Sequence, residues 1–224
     1  MTDKSVVDRR KLLVGIPTVA GAVAFSFPSN APSAKPLSRR TIQSMTAEGL
    51  SSDERTRHER YMAMAFDLAK KGAAPFGAVI VHRESGNVVC KGRNQGDVNP
   101  IYHGEIDAII NCGRLKPPIE WEMMTLYTTG ECCPMCMSAV VWAGIPEVVY
   151  GTSIKSISTF GVDQIEFNSP SVAAAAPFYE GRIIGGILKE RTDPLFEAWA
   201  SRLNRCKHRD EDPGGLYGKC NRAS

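Results

Sequence analysis

The feature that most restricts what this chain can fold into is a change of apolar period, repeated several times between residues 53 and 152. "SSDERTRHERYMAMAFDLAKKG" places Met62, Ala65, Phe66 and Ala69 on one helical stripe and stops at Gly72. The runs that follow, "FGAVIVHR" and "NVVCKGR", are short and β-branched, and Glu84-Ser85-Gly86-Asn87 joins them as a hairpin turn. "YHGEIDAIINCGRL" returns to helical spacing, with Ile106, Ile109 and Ile110 as its apolar edge. "MTLYTT" predicts a strand, "PMCMSAVVWAG" a helix opened by Pro134 and closed at Gly144, and "EVVYGT" a further strand. Strands alternating with helices in this way imply a layered α/β sheet with a parallel part.

Residues 153–177 hold turn residues without a sustained period and read as a loop with short helical pieces. "RIIGGILKE" predicts a strand, and Asp193-Pro194 starts a last helix, "PLFEAWASRLNR", whose apolar face carries Phe196 and Trp199. Residues 53–205 are therefore the folded domain, 34–52 a linker and 206–224 a polar tail. With 224 residues, 43% of them hydrophobic, the chain has the material for one well-buried core.

The first 33 residues differ in kind. Arg9, Arg10 and Lys11 precede an uncharged run from Leu12 to Phe27, and Ala31-Pro32-Ser33 follows. This order of charge, apolar run and small residues is that of a secretory signal peptide, and the paired arginines resemble the twin-arginine export signal. The run is too short and too interrupted by Gly and Pro to span a membrane. The expected location is the bacterial periplasm, with the cytoplasm as the alternative. Loss of residues 1–33 removes four basic and two acidic side chains, so the net charge of +3 falls to +1. Such a body is no nucleic-acid polyelectrolyte; its expected partner is a small molecule of little charge.

Cys133 and Cys136 lie at the mouth of the "PMCMSAVVWAG" helix, three positions apart, so both sulfurs can point at one object. A helix N-terminus favours thiolates. That arrangement suits a metal and a thioredoxin-like redox pair equally. The upstream "HGE" separates the two. His103 stands at a strand-to-helix junction and would complete three zinc ligands with a fourth position open, the catalytic form of a zinc site. Glu105, two residues on, would stand beside the open position as a base. A periplasmic thiol–disulfide oxidoreductase built on Cys133 and Cys136 needs neither residue, and a closed structural zinc module lacks a fourth ligand at suitable spacing. Asp107 is expected to pack or cap. His58, His82 and His208 read as surface groups. Cys90, Cys112, Cys206 and Cys220 remain; a Cys206–Cys220 bridge would suit an oxidising compartment, although spacing alone does not fix the pairing.

"HGE" with "CCPMC" resembles the H-x-E…P-C-x-x-C signature of the zinc-dependent cytidine/deoxycytidylate deaminase superfamily, which acts on nucleobases and nucleosides. "PFGAVIV", "GRN", "TLYTTGECCPMC", "VVWAG" and "PLFEAW" look most like bacterial guanine deaminase and its purine relatives. The likeness runs from about Asp53 to about Asn204. Two residues depart from the pattern: Gly104 stands for the usual Ala and Cys132 for the usual Pro.

The resemblance implies a three-layer α/β/α sandwich around a mixed five-stranded sheet and one Zn2+ per chain, held by His103, Cys133 and Cys136. Glu105 would be the catalytic acid/base in hydrolytic deamination of a guanine-like purine base or related heterocycle. Nucleosides and cytosine remain alternatives, while export and near-neutral charge disfavour tRNA. Asn94 would contact a substrate amide, Phe76 and Trp142 would stack on a base, and Asp163 would face it. Relatives imply a homodimer or larger assembly, whose neighbouring subunits or C-terminal segments, here a tail with Tyr217, complete the pocket.

Overall fold

A computed structural model of the protein describes residues 41–207. The expected export signal of residues 1–33, residues 34–40 of the expected linker and the tail from His208, with Tyr217 and the expected Cys206–Cys220 pairing, fall outside what it describes. The chain runs β1 (Ile42–Thr46), α1 (Ser52–Ala69), β2 (Gly77–His82), β3 (Val88–Arg93), α2 (Gly104–Gly113), β4 (Met124–Gly130), α3 (Pro134–Ala143), β5 (Glu147–Thr152), α4 (Ile154–Thr159), α5 (Ser169–Ala174), β6 (Gly181–Gly185) and α6 (Lys189–Lys207).

The six strands form one mixed sheet in the order β1-β6-β5-β4-β2-β3. The first four in that order are parallel to one another, while β2 runs antiparallel to both β4 and β3. Period-2 alternation divides the core. Ala78, Ile80, Leu126, Val148 and Ile183 pack on the side of α2, α3 and α5. Val79, Val81, Tyr127, Val149 and Ile184 pack on the other side, against Tyr61, Met62 and Ala65 of α1. Both faces are covered, so the inner strands read as continuous apolar runs. Each such buried Ile or Val contributes about 1.5–3 kcal/mol. A third cluster of Phe76, Ile157, Val162, Phe196, Trp199 and Ala200 joins α4 and α6 to the start of β2.

Three expectations need correction. The sheet has six strands rather than five, because β1 forms inside the segment read as linker. Its five residues bury little, and only backbone pairing to β6, almost 140 residues away, makes it a strand. His58 is fully buried, not a surface group. It shares the stripe of Met62, Ala65 and Ala69 on α1, and its Nδ1 lies 3.0 Å from the Tyr127 hydroxyl. The last helix starts at Lys189, with Pro194 inside it. Proline there lacks only the donor for one helical bond, and Arg191 N and Thr192 N both bond Leu188 O to start the turn before it. Ser51 and Glu54 form a reciprocal cap on α1, and Gly144, as expected, ends α3, in the left-handed region at φ 77°.

Candidate active site

The carboxyl ends of β3 and β4 and the helices that follow them build one pocket floor. β4 ends at Gly130, the chain turns through Glu131 and Cys132, and α3 begins with Cys133 at its N-cap and Pro134 in its first turn. Cys136 sits one turn further, so the two sulfurs share a face. α2 begins in the same way, with His103 at its N-cap and Glu105 in its first turn. β3 and β4 flank β2 in the sheet, and this adjacency brings the two helix starts together.

His103 Nδ1 lies 3.6 Å from Cys133 Sγ and 3.6 Å from Cys136 Sγ. The three donor atoms all fall within 4.8 Å of one another, and they form the cluster suited to a metal among the described residues. A tetrahedral zinc with bonds of about 2.3 Å to sulfur and 2.05 Å to nitrogen separates N from S by about 3.6 Å. The donor set and its spacing therefore fit zinc. Cys136 donates to Cys133 and His103 faces both, so the Cys133 thiol is pulled down to about 4 while that of Cys136 is pushed up. Burial opposes charging of His103, but the hydrogen bond to Cys133 and the Glu105 carboxyl outweigh it and raise its pKa.

Glu105 is 1% exposed, and burial raises its pKa. Its Oε1 accepts from Thr128 Oγ1 at 3.0 Å, which turns Oε2 toward Cys136 Sγ at 3.7 Å. The carboxyl thus faces the cluster. Thr128 escaped sequence reasoning; it is one of three threonines in β4, and nothing local distinguishes it from Thr125 or Thr129. Glu131 was missed too. Its buried carboxylate accepts from Ile154 N and Ser169 N, both at 2.9 Å, and so ties the starts of α4 and α5 to the Cys133 turn.

Phe76 comes to the site, and Asn94 is joined to it through the backbone. The Phe76 ring stacks on His103 with centroids 6.0 Å apart and is backed by Phe196 and Trp199. Asn94 is buried; its backbone N–H donates to Phe76 O, and its Oδ1 accepts from Gly96 N. Trp142 does not come to the site. It lies at the far end of α3, roughly 13 Å along the helix from Cys133, is 78% exposed and meets Phe178. Asp163 is exposed in the loop after α4, and no contact joins it to the cluster among the described residues. Asp107 turns away as expected, its Oδ2 accepting from Arg93 N at 3.0 Å.

The two departures from the family pattern have local reasons. A methyl at Gly104 would lie 2.5 Å from the Phe76 carbonyl oxygen, so the position has no room for Ala beside this backbone. Cys132 is fully buried, burial pushes its thiol pKa up, and it stands outside the metal cluster.

A mixed sheet clothed on both faces, with an imidazole, two thiols and an inward carboxyl at two helix starts, defines a zinc-dependent deaminase site. Residues 55–152 match the family described as cytidine and deoxycytidylate deaminase zinc-binding region, and the chain belongs to that family. It is a hydrolytic deaminase with zinc as its cofactor. Guanine deaminase of Bacillus subtilis is 30% identical over 159 residues, 66% of this chain and 97% of that protein. The tRNA-specific adenosine deaminase of Rickettsia bellii is 29% identical over 135 residues, 59% of this chain and 90% of its own. In fold, the chain resembles guanine deaminase from Nitrosomonas europaea, with a TM-score of 0.54 at 18% identity over 68% of this chain and 94% of that one.

Proposed function

We propose that the protein deaminates a free guanine-like purine base or a related amino-heterocycle, releasing ammonia and leaving the keto product, with His103, Cys133 and Cys136 holding one zinc. The observation that carries the chemistry is the buried Glu105 carboxyl, fixed by Thr128 and turned toward the three donors. Bound zinc supplies a Lewis acid that makes water a nucleophile at neutral pH. The remaining steps belong to the chain. Glu105 Oε2 takes a proton from the attacking water and gives it to the ring nitrogen of the amidine. A second proton then passes through the same carboxyl to the amino group, which leaves as ammonia, and the carbon becomes a carbonyl. A carboxyl whose pKa is raised by burial is suited to carrying protons in both directions. Phe76, stacked on His103, fixes the imidazole, and Asn94, whose backbone bonds Phe76 O, is the residue assigned to meet a substrate amide.

The substrate class rests on the guanine deaminase relative, which is matched over nearly its whole length, and on the near-neutral charge of the body after residue 33. An ammonia-release screen over guanine, guanosine, adenine and cytosine, run beside metal analysis, tests it. The expected result is turnover of guanine by protein carrying one zinc per chain. Turnover of another ring alone retires the guanine assignment but keeps the chemistry, and protein without zinc retires both. Export and self-association belong to the same reading. Replacing Arg9 and Arg10 by Lys should keep the protein in the cytoplasm, and sedimentation should show a dimer or larger species.

A further inference from the structure

We propose that a disulfide between Cys90 and Cys112 is a positioning element of the active site, holding α2, and with it His103 and Glu105, in rotation and register on the sheet. This rests on the reading of His103 and Glu105 given above. Cys90 lies in the middle of β3 and Cys112 in the last turn of α2, and they are joined with Cα atoms 5.6 Å apart. Cys133 and Cys136 remain free thiols. Sulfurs of one chain thus have two fates, set by where the fold places them.

The geometry shows what the bond controls. Glu105 and Cys112 are seven residues apart, two helical turns, and so lie on one face of α2 together with Ala108; all three are buried. A bond through Cys112 therefore fixes the stripe that carries the catalytic carboxyl. At the other end α2 rides directly on the sheet, for a Cβ at Gly92 of β3 would collide with Gly104 O and Ala108 N. Between these points two side chains of α2 satisfy the outer edge of β3: Asp107 accepts from Arg93 N, and Asn111 donates to Lys91 O at 3.0 Å. Among the described residues β3 pairs only with β2, so α2 takes the place of a further strand on that edge. The segment closed by the bond, residues 90–112, also carries Asn94 and His103. A slip of α2 by one residue would rotate Glu105 by about 100° away from Cys136.

The bond forms when the two thiols lose two protons and two electrons to a disulfide oxidant, protein or low-molecular-weight, which is reduced to its dithiol. Such oxidants work in secretory and periplasmic spaces. The assembled site would then be completed in the compartment to which residues 1–33 point.

The experiment begins with a non-reducing digest of full-length protein made with export, which should contain one peptide pair linked through Cys90 and Cys112; unlinked thiols overturn the proposal. A Cys90→Ala/Cys112→Val variant keeps apolar side chains at both positions. It should lose metal to a chelator roughly ten- to a hundredfold faster than the parent. Its cobalt-substituted form should show an altered visible spectrum, and kcat should fall more than KM changes. Amide exchange across α2, read in metal-free protein, should be faster, with α1 and α3 unchanged. A lower melting temperature with unchanged α2 exchange, metal release and cobalt spectrum would show a plain staple and overturn the proposal. If the variant does not fold, parent protein refolded with and without reductant gives the same comparison. Failure of that reduced form to fold would make the bond global, which also overturns a local role. Should neither parent nor variant bind metal, the zinc reading falls, while α2 exchange still reports on the bond.

Discussion

Each of the two ends of the sheet carries a histidine beside a buried glutamate. At the carboxyl end of β4 they are His103 and Glu105. At the amino ends of β4, β5 and β6 they are His58 and Glu147. In the second pair the glutamate has fixed partners, and the histidine has one, at Nδ1, its Nε2 being left without a hydrogen bond. Glu147 accepts from Thr125 Oγ1 at 3.0 Å and pairs with Arg182 at 3.3 Å, Arg182 also reaches Glu54 at 3.1 Å, and His58 leans on the Tyr127 hydroxyl. Glu105, more deeply buried, has Thr128 and a thiol as its partners, and no lysine or arginine pairs with it among the described residues. A buried acid whose counter-charge is part of the chain stabilises the fold. One without it, set beside three soft donors, calls for a cation from outside and is free to move protons.

If that contrast is right, substitutions at the two ends should fail differently. The largest effect should come from Glu105→Gln, which keeps shape but cannot carry a proton: ammonia release should drop about a thousandfold with zinc content unchanged. Activity within tenfold of the parent would break the contrast. At the other end, Arg182→Met should leave turnover per folded molecule alone and cost stability by leaving Glu147 unpaired. Arg182 is a quarter exposed, so the loss in a urea titration should be about 1–3 kcal/mol, below the value for a fully buried pair. Thr128→Val should lower kcat about tenfold and move KM less, because the Glu105 carboxyl loses the hydrogen bond that aims it.

The smallest effect concerns pH. Desolvation lowers the pKa of His58, against the pull of Glu147 and with smaller help from Arg57 and Arg182. Above the ordinary histidine pKa of about 6.5 both folded and unfolded states hold it neutral and it carries no pH dependence. As pH falls below that value the unfolded chain takes up the proton first, so stability should decline between about pH 6.5 and the lower folded value. Urea midpoints measured from pH 7.5 to 5.5 should fall in the parent and flatten in His58→Asn. A parallel fall in both would assign the slope to other groups.

The same two regions show how far the residues could be read unaided. The active-site end was legible because its chemistry is written in local spacing. Cys133 and Cys136, three apart at a helix start, fix a shared face whatever the rest of the fold does, and His103 with Glu105 two residues on marks a second helix start with a donor and an acid. The opposite end left no such mark. His58 looks like one more polar residue in a charged helix until α1 is laid on β4, and Glu147 looks like an exposed acid at a strand start until Arg182 arrives from β6. Thr128 and Glu131 were hidden for the same reason, since each acts through partners more than 20 residues away. Trp142 misled in the opposite sense: the resemblance implied a ring for stacking, yet helix length carries it away from the cluster.

By itself the sequence determined where helices and strands alternate and which donors stand at each helix start, and its resemblance to the deaminase signature implied the zinc-dependent chemistry. Tertiary structure alone decided that the two helix starts meet, that β1 joins the sheet, that His58 is inside, and that Cys90 and Cys112 are partners. The physical reason is the range of the forces. Periodicity and capping act within a turn or two of chain, whereas strand order, burial and disulfide pairing depend on which distant segments come to share one core.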